Sequence, residues 1–214
     1  MSEPTPATHS VPSSTNGVPL LSPEQVQTFR DQGFVHIPHL FDLATVERLL
    51  SWTDEMVARP ERPGEHMVYY EDDLQHPGKR VLSRIENFCP YHEQFDALLR
   101  RGALKQCVDE AMETDAVLFK EKVNFKLPGA DGFKAHQDAQ AGWNTYAPYH
   151  VTVLVSLDAT TVENGCLEIA PCPGGQSLIG DLWSPLSDDQ FDPARYQSLP
   201  TAPGDAVLFD SYVP

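Results

Sequence analysis

The chain has 214 residues, 41% of them hydrophobic, which is enough for one sizeable core. Asp and Glu number 31 against 15 Lys and Arg, and the formal net charge of -16 disfavours contact with nucleic acid or an anionic membrane surface. Cys89, Cys107, Cys166 and Cys172 make neither a zinc spacing nor a disulfide framework, and no apolar run reaches membrane-spanning length.

Residues 1–18 are polar and rich in Pro, Ser and Thr, and read as a disordered tail rather than a signal segment. Reduced cysteines and the lack of an apolar leader suggest a cytoplasmic protein. Residues 19–214 read as a single domain. It opens on a helix, with Ser22 as N-cap, Pro23 at the first helical position, Gln25 three beyond the cap, and Gly33 as the stop. Phe34 to Ile37 alternates like a strand closed by Pro38, and His36 and His39 read as surface histidines. Asp42 caps a second helix whose expected apolar face is Val46, Leu49, Leu50, Thr53 and Val57. Beyond the breaker run at 59–64, MVYY and KRVLSRIENF read as strands. From His92 two short helices follow, divided at Gly102, with Phe95, Leu98, Leu99, Leu104, Val108 and Met112 as a core stripe.

After Thr114 the character changes. AVLFKEKVNFKL and HVTVLVSLDA read as strands on either side of a Pro/Gly turn and the triplet His136-Gln137-Asp138. Glu163-Asn164-Gly165 is a turn and CLEIA a short strand. Residues 182–200 read as a surface insertion, and Pro203-Gly204 launches DAVLFDSYV. The order is helix-rich, then strand-rich. It suggests a mainly β fold with flanking helices, an antiparallel sandwich or barrel carrying helices on one outer face.

In extended chain, His136 and Asp138 point one way and Gln137 the other. That supplies two of the three ligands of a 2-His-1-carboxylate site for non-haem Fe(II). A third must come from a distant strand, and the sequence offers no convincing one. Taken alone, the triplet is equally a surface loop histidine beside an aspartate that caps a turn. Trp143, Tyr146 and Tyr149 follow at once, as at the mouth of a barrel.

Several segments together resemble the phytanoyl-CoA dioxygenase-like family of Fe(II)/2-oxoglutarate oxygenases. They are LSPEQVQTFRDQGFVHIPHLFD, FKEKVNFKLPGADGFKAHQD, HVTVLVSLD, ENGCLEIAP and PGDAVLFDSYVP. FKEKVNFKLPG with AGW is similar to hydroxylases of 2-aminoethylphosphonate-type compounds. The resemblance implies a double-stranded β-helix, the jelly roll of cupin-like proteins. It also implies Fe(II), 2-oxoglutarate and O2, with ascorbate as reductant, and hydroxylation of an unactivated C–H in a small polar molecule. His136 and Asp138 match the first two metal ligands, and a carboxylate ligand favours hydroxylation over halogenation.

By the same resemblance, Asn124, Lys122, Thr152 and Leu154 are expected around 2-oxoglutarate, and Gln137, Trp143 and Tyr146 around the substrate. An aromatic wall would suit an ammonium group. Lys120 and Lys126 are candidate partners for a phosphonate, and His150 is a further candidate at the start of its strand. Two departures stand out. The distal histidine due near SYVP, and the arginine beyond it that anchors 2-oxoglutarate, are not in the sequence, which suggests a chain truncated at its C-terminus. The usual PGSH reads PCPGGQ. A catalytically incomplete barrel that binds a small molecule or serves as a scaffold is the competing reading. A non-redox cupin-type isomerase would need a richer histidine cluster. No pattern fixes an oligomeric state.

Overall fold

The structure, a computed structural model, describes residues 19–172 and 177–214. The tail expected over 1–18 and the Gly174-Gly175 departure lie outside those residues. Helix α1 (Pro23–Gln32) begins with a reciprocal cap: the Ser22 hydroxyl accepts from the Gln25 N–H, and the Gln25 side chain accepts from the Ser22 N–H. Gly33, at φ 82°, ends it in the left-handed region that favours glycine. Strand β1 (Phe34–Ile37) leads to α2 (Leu43–Ala58), which Asp42 caps by accepting from the Thr45 N–H.

The buried face of α2 is Thr45, Val46, Leu49, Thr53 and Met56. Leu50 and Val57, expected inside, are 36% and 48% exposed. Both patterns have helical spacing, and the adaptable Met56 takes the core position that branched Val57 was expected to hold.

Strands β2 (Met67–Asp72) and β3 (Arg80–Glu86) form an antiparallel sheet with β4 (Lys122–Asn124). Of the long extended run after Thr114, only these last three residues pair as a strand. Between β3 and β4 lie α3 (Glu93–Arg101) and α4 (Ala103–Met112), divided at Gly102 as the sequence suggests.

A second sheet holds β5 (Val151–Val155) and β1 on either side of β8 (Ala206–Asp210). Ala206, Val207 and Leu208 have no exposed surface. One face of this sheet, with Val35, Ile37, Leu208, Val153 and Val155, packs on the helices. The other carries Phe34, Phe209, Thr152 and Leu154, because directly paired residues share a face. Gly204, in the turn before β8, has φ 91°, and a Cβ there would collide with the Phe41 carbonyl.

A two-stranded sheet joins β6 (Leu167–Ile169) to β7 (Gln197–Leu199). The stretch 182–200 is therefore more than a surface insertion. It contributes β7, and its Leu186 and Phe191 are buried against Ala170. Its prolines interrupt the periodicity by which a core segment is normally recognised. At the coarse level the expected architecture holds: antiparallel sheets with flanking helices.

Candidate active site

Gln137 is extended, at φ -103° and ψ 134°, and Asp138 already opens a short 3-10 turn (Asp138–Ala141). One extended residue suffices. It brings His136 Nε2 to 3.6 Å from Asp138 Oδ1 and sends Gln137 the opposite way. The other His136 nitrogen, Nδ1, lies 2.6 Å from the Lys134 carbonyl, which only an N–H can satisfy. Nε2 faces the carboxylate, and in the charged ring it does so as an N–H. Asp138 Oδ2 accepts a 2.5 Å hydrogen bond from the Thr152 hydroxyl on β5.

Burial works against the Asp138 anion. Hydrogen bonds from His136 and Thr152 and the positive charge of Lys122 outweigh it, and the carboxyl stays below its usual range. The hydrogen bond with Asp138 raises His136 above the ordinary imidazole value, against its own desolvation.

This geometry fits a divalent metal. A separation of 3.6 Å lies within the span of one ion bonded at about 2.1 Å to each donor. Mixed imidazole and carboxylate donors suit a first-row transition ion. The outward hydrogen bonds to Lys134 and from Thr152 are the kind that orient metal ligands. Among the described residues, no group of three or more His, Cys, Asp or Glu side chains completes a site.

Gln137, expected against the substrate, instead faces the protein interior. It is 1% exposed, and its amide is spent on backbone. Nε2 donates to the Tyr212 and Ser177 carbonyls, and Oε1 accepts from the Ile179 N–H at 2.7 Å. Gln140, which sequence reasoning missed, does the same for the Asp181 and Ser184 carbonyls, both at 2.7 Å. Two buried amides thus tie the 177–184 segment and the end of β8 to the triplet. Their only sequence signal was two polar side chains beside His136 and Asp138.

Thr152 is likewise engaged with Asp138 rather than open to a cofactor. Leu154 is half-buried two residues on, and Asn124 is exposed on β4. Lys120 is taken by Glu86 at 3.1 Å. Lys122 and Lys126 instead stand over the Phe133 ring, 5.7 and 5.0 Å from its centre.

Trp143 and Tyr146 do meet, through a residue that the sequence did not single out. Phe119 lies 5.7 Å from Trp143, 5.3 Å from Tyr146 and 5.0 Å from His150, centre to centre. Tyr146 is 76% exposed. His150 shares the Thr152 face of β5, its Nε2 is buried without a partner, and burial holds its pKa below the usual value. The cysteines are free, and burial pushes the thiols of Cys89 and Cys107 up to about 12, so neither is a ready nucleophile. Among the described residues, no helix is long and apolar enough to cross a membrane.

The sequence profile of the family described as Phytanoyl-CoA dioxygenase (PhyH) matches residues 29–214. A 2-aminoethylphosphonate dioxygenase from uncultured bacterium HF130_AEPn_1 is 39% identical over 196 residues, covering 89% of this chain and 73% of that protein. A methylphosphonate hydroxylase from Gimesia maris is 31% identical over 195 residues, covering 91% and 73%. Among solved structures, EctD from S. alaskensis with 2-oxoglutarate and 5-hydroxyectoine superposes with a TM-score of 0.73 at 18% identity, covering 94% of this chain and 71% of that one. At that identity the likeness speaks for the fold.

Proposed function

Because the chain belongs to the phytanoyl-CoA dioxygenase (PhyH) family, we propose that it is an Fe(II)- and 2-oxoglutarate-dependent oxygenase that hydroxylates an unactivated C–H bond of a small phosphonate of the 2-aminoethylphosphonate type. One observation carries the site assignment. His136 Nε2 lies 3.6 Å from Asp138 Oδ1 while Thr152 holds the other carboxylate oxygen. His136 and Asp138 are the metal ligands in this reading, and Thr152 positions one of them. The resemblance puts the third ligand, a histidine, just after SYVP. In support, the Ala139 N–H donates to the Ser211 carbonyl at 2.8 Å, so that segment runs beside the pair.

The fold is read as a double-stranded β-helix in one domain, and the setting as cytoplasmic. The sheet face bearing Thr152 and Leu154 is its inner wall, and Asn124 and Leu154 lie beside 2-oxoglutarate. Bound Fe(II) and 2-oxoglutarate supply oxygen activation coupled to decarboxylation to succinate. The chain itself orients the metal donors and screens the reacting carbon from water. The half-buried Trp143, with Phe119 and Tyr146, forms an aromatic wall suited to an ammonium group.

The test is succinate release by the complete gene product, with Fe(II), ascorbate, O2 and 2-aminoethylphosphonate. Turnover should require the phosphonate and vanish in His136→Ala and in Asp138→Ala. Undiminished turnover in both variants would reject the ligand assignment. Tight phosphonate binding without any succinate would favour the catalytically incomplete barrel.

A further inference from the structure

Phe133 is 55% exposed, three residues before His136, and the two ring centres are 6.5 Å apart. Two ammonium groups converge on this one phenyl ring. Lys122, Asn124 and Lys126 alternate along one side of β4 and its continuation, which explains how two lysines four apart reach the same ring. Such convergence is unusual in a chain with twice as many acidic as basic residues. Two of the other lysines meet carboxylates: Lys105 pairs with Asp109 and Asp115, and Lys120 with Glu86. Among the described residues, neither Lys122 nor Lys126 has a carboxylate partner. The ring face offsets only part of what an anion would supply to each ammonium group. The arrangement is therefore poised for a multiply charged anion.

The location is equally specific. The Phe133 ring over which both lysines stand lies beside the His136 ring. An anionic substrate approaching a protein of net charge -16 needs a local positive field at the mouth of the site.

We infer that Lys122 and Lys126, with Phe133 as the platform that holds their ammonium groups, form the subsite for the phosphonate group of the substrate. The inference rests on the phosphonate reading above, and it moves Lys122 from the cofactor to the substrate. A phosphonate presents three oxygens and more than one negative charge on a single small centre, as a phosphate ester does. Two compact ammonium donors converging from two directions match that shape. A carboxylate is planar, carries a single charge and is best met by the fork of an arginine.

The experiment is calorimetric titration of 2-aminoethylphosphonate, and separately of 2-oxoglutarate, into the complete gene product loaded with Mn(II) without oxygen. It compares wild type with Lys122→Gln, Lys126→Gln and the double variant. Each single change should weaken phosphonate binding about tenfold, and the double change about a hundredfold. Affinity for 2-oxoglutarate should stay at the wild-type value in all three. Weakened 2-oxoglutarate binding with phosphonate binding intact would overturn the inference and return the lysines to the cofactor. Equal phosphonate binding by wild type and double variant would overturn the subsite and leave the substrate class standing. A wild type that binds 2-oxoglutarate but no phosphonate would overturn both.

Discussion

Replacing Thr152 with valine keeps the shape of the β5 side chain and removes one hydroxyl. That hydroxyl donates at 2.5 Å to Oδ2 of Asp138, whose side chain is only 13% exposed. Water cannot readily replace the donor there. A hydrogen bond to a charged group contributes about 1.5–3 kcal/mol net. The loss falls on the carboxylate in two ways. Its anion is less well held, so its carboxyl rises from its present low position, and its free oxygen is less firmly aimed at His136. Outer partners of metal ligands typically change metal affinity about 10- to 100-fold, the range that the lost bond converts to. Titration of the oxygen-free complete gene product with Fe(II) should show that weakening in Thr152→Val. Thr152→Ser, which keeps the hydroxyl, should restore most of the affinity. Iron affinity in the valine variant equal to wild type, with the fold intact by circular dichroism, would show that the hydroxyl does not serve the ligand.

Two further predictions concern the scaffold. Gln137→Leu strands the Ile179 N–H and the Tyr212 and Ser177 carbonyls; at about 1–3 kcal/mol for each group left without a partner, the urea midpoint should fall clearly, and an unchanged midpoint would mean that the amide is dispensable. Asp205 is buried but accepts from the His39 and Ala202 N–H groups and from His36, and these donors outweigh burial and hold its carboxyl below the ordinary value. A carboxyl depressed by folding contributes stability above the unfolded value of about 3.9 and loses it as pH falls through the lower folded value. Stability should therefore drop on acidification below about pH 4, and Asp205→Asn should flatten that part of the profile. An identical slope in the asparagine variant would place the acid sensitivity elsewhere.

Much of this fold was legible because local chemistry is written in neighbouring residues. The cap at Ser22, the stop at Gly33, the break at Gly102 and the strand Val151–Val155 depend on side chains a few positions apart. The helical face of α2 was legible in period but not in phase, since which of two adjacent stripes turns inward depends on the sheet it meets. The alternation rule placed His136 beside Asp138 through a single extended residue. The same rule sends Gln137 away from that pair, and only the fold shows that this direction leads into protein.

Sequence by itself determined the class of fold, the nearness of His136 to Asp138, the polarity of the chain and the family likeness. Tertiary structure decided that β1 and β5 flank β8, that residues 182–200 bury Leu186 and Phe191, and that Lys120 is neutralised while Lys122 and Lys126 share a ring. The physical reason is the same in each case. Backbone pairing and capping are settled over a few residues, whereas burial and charge pairing depend on partners brought together from far along the chain.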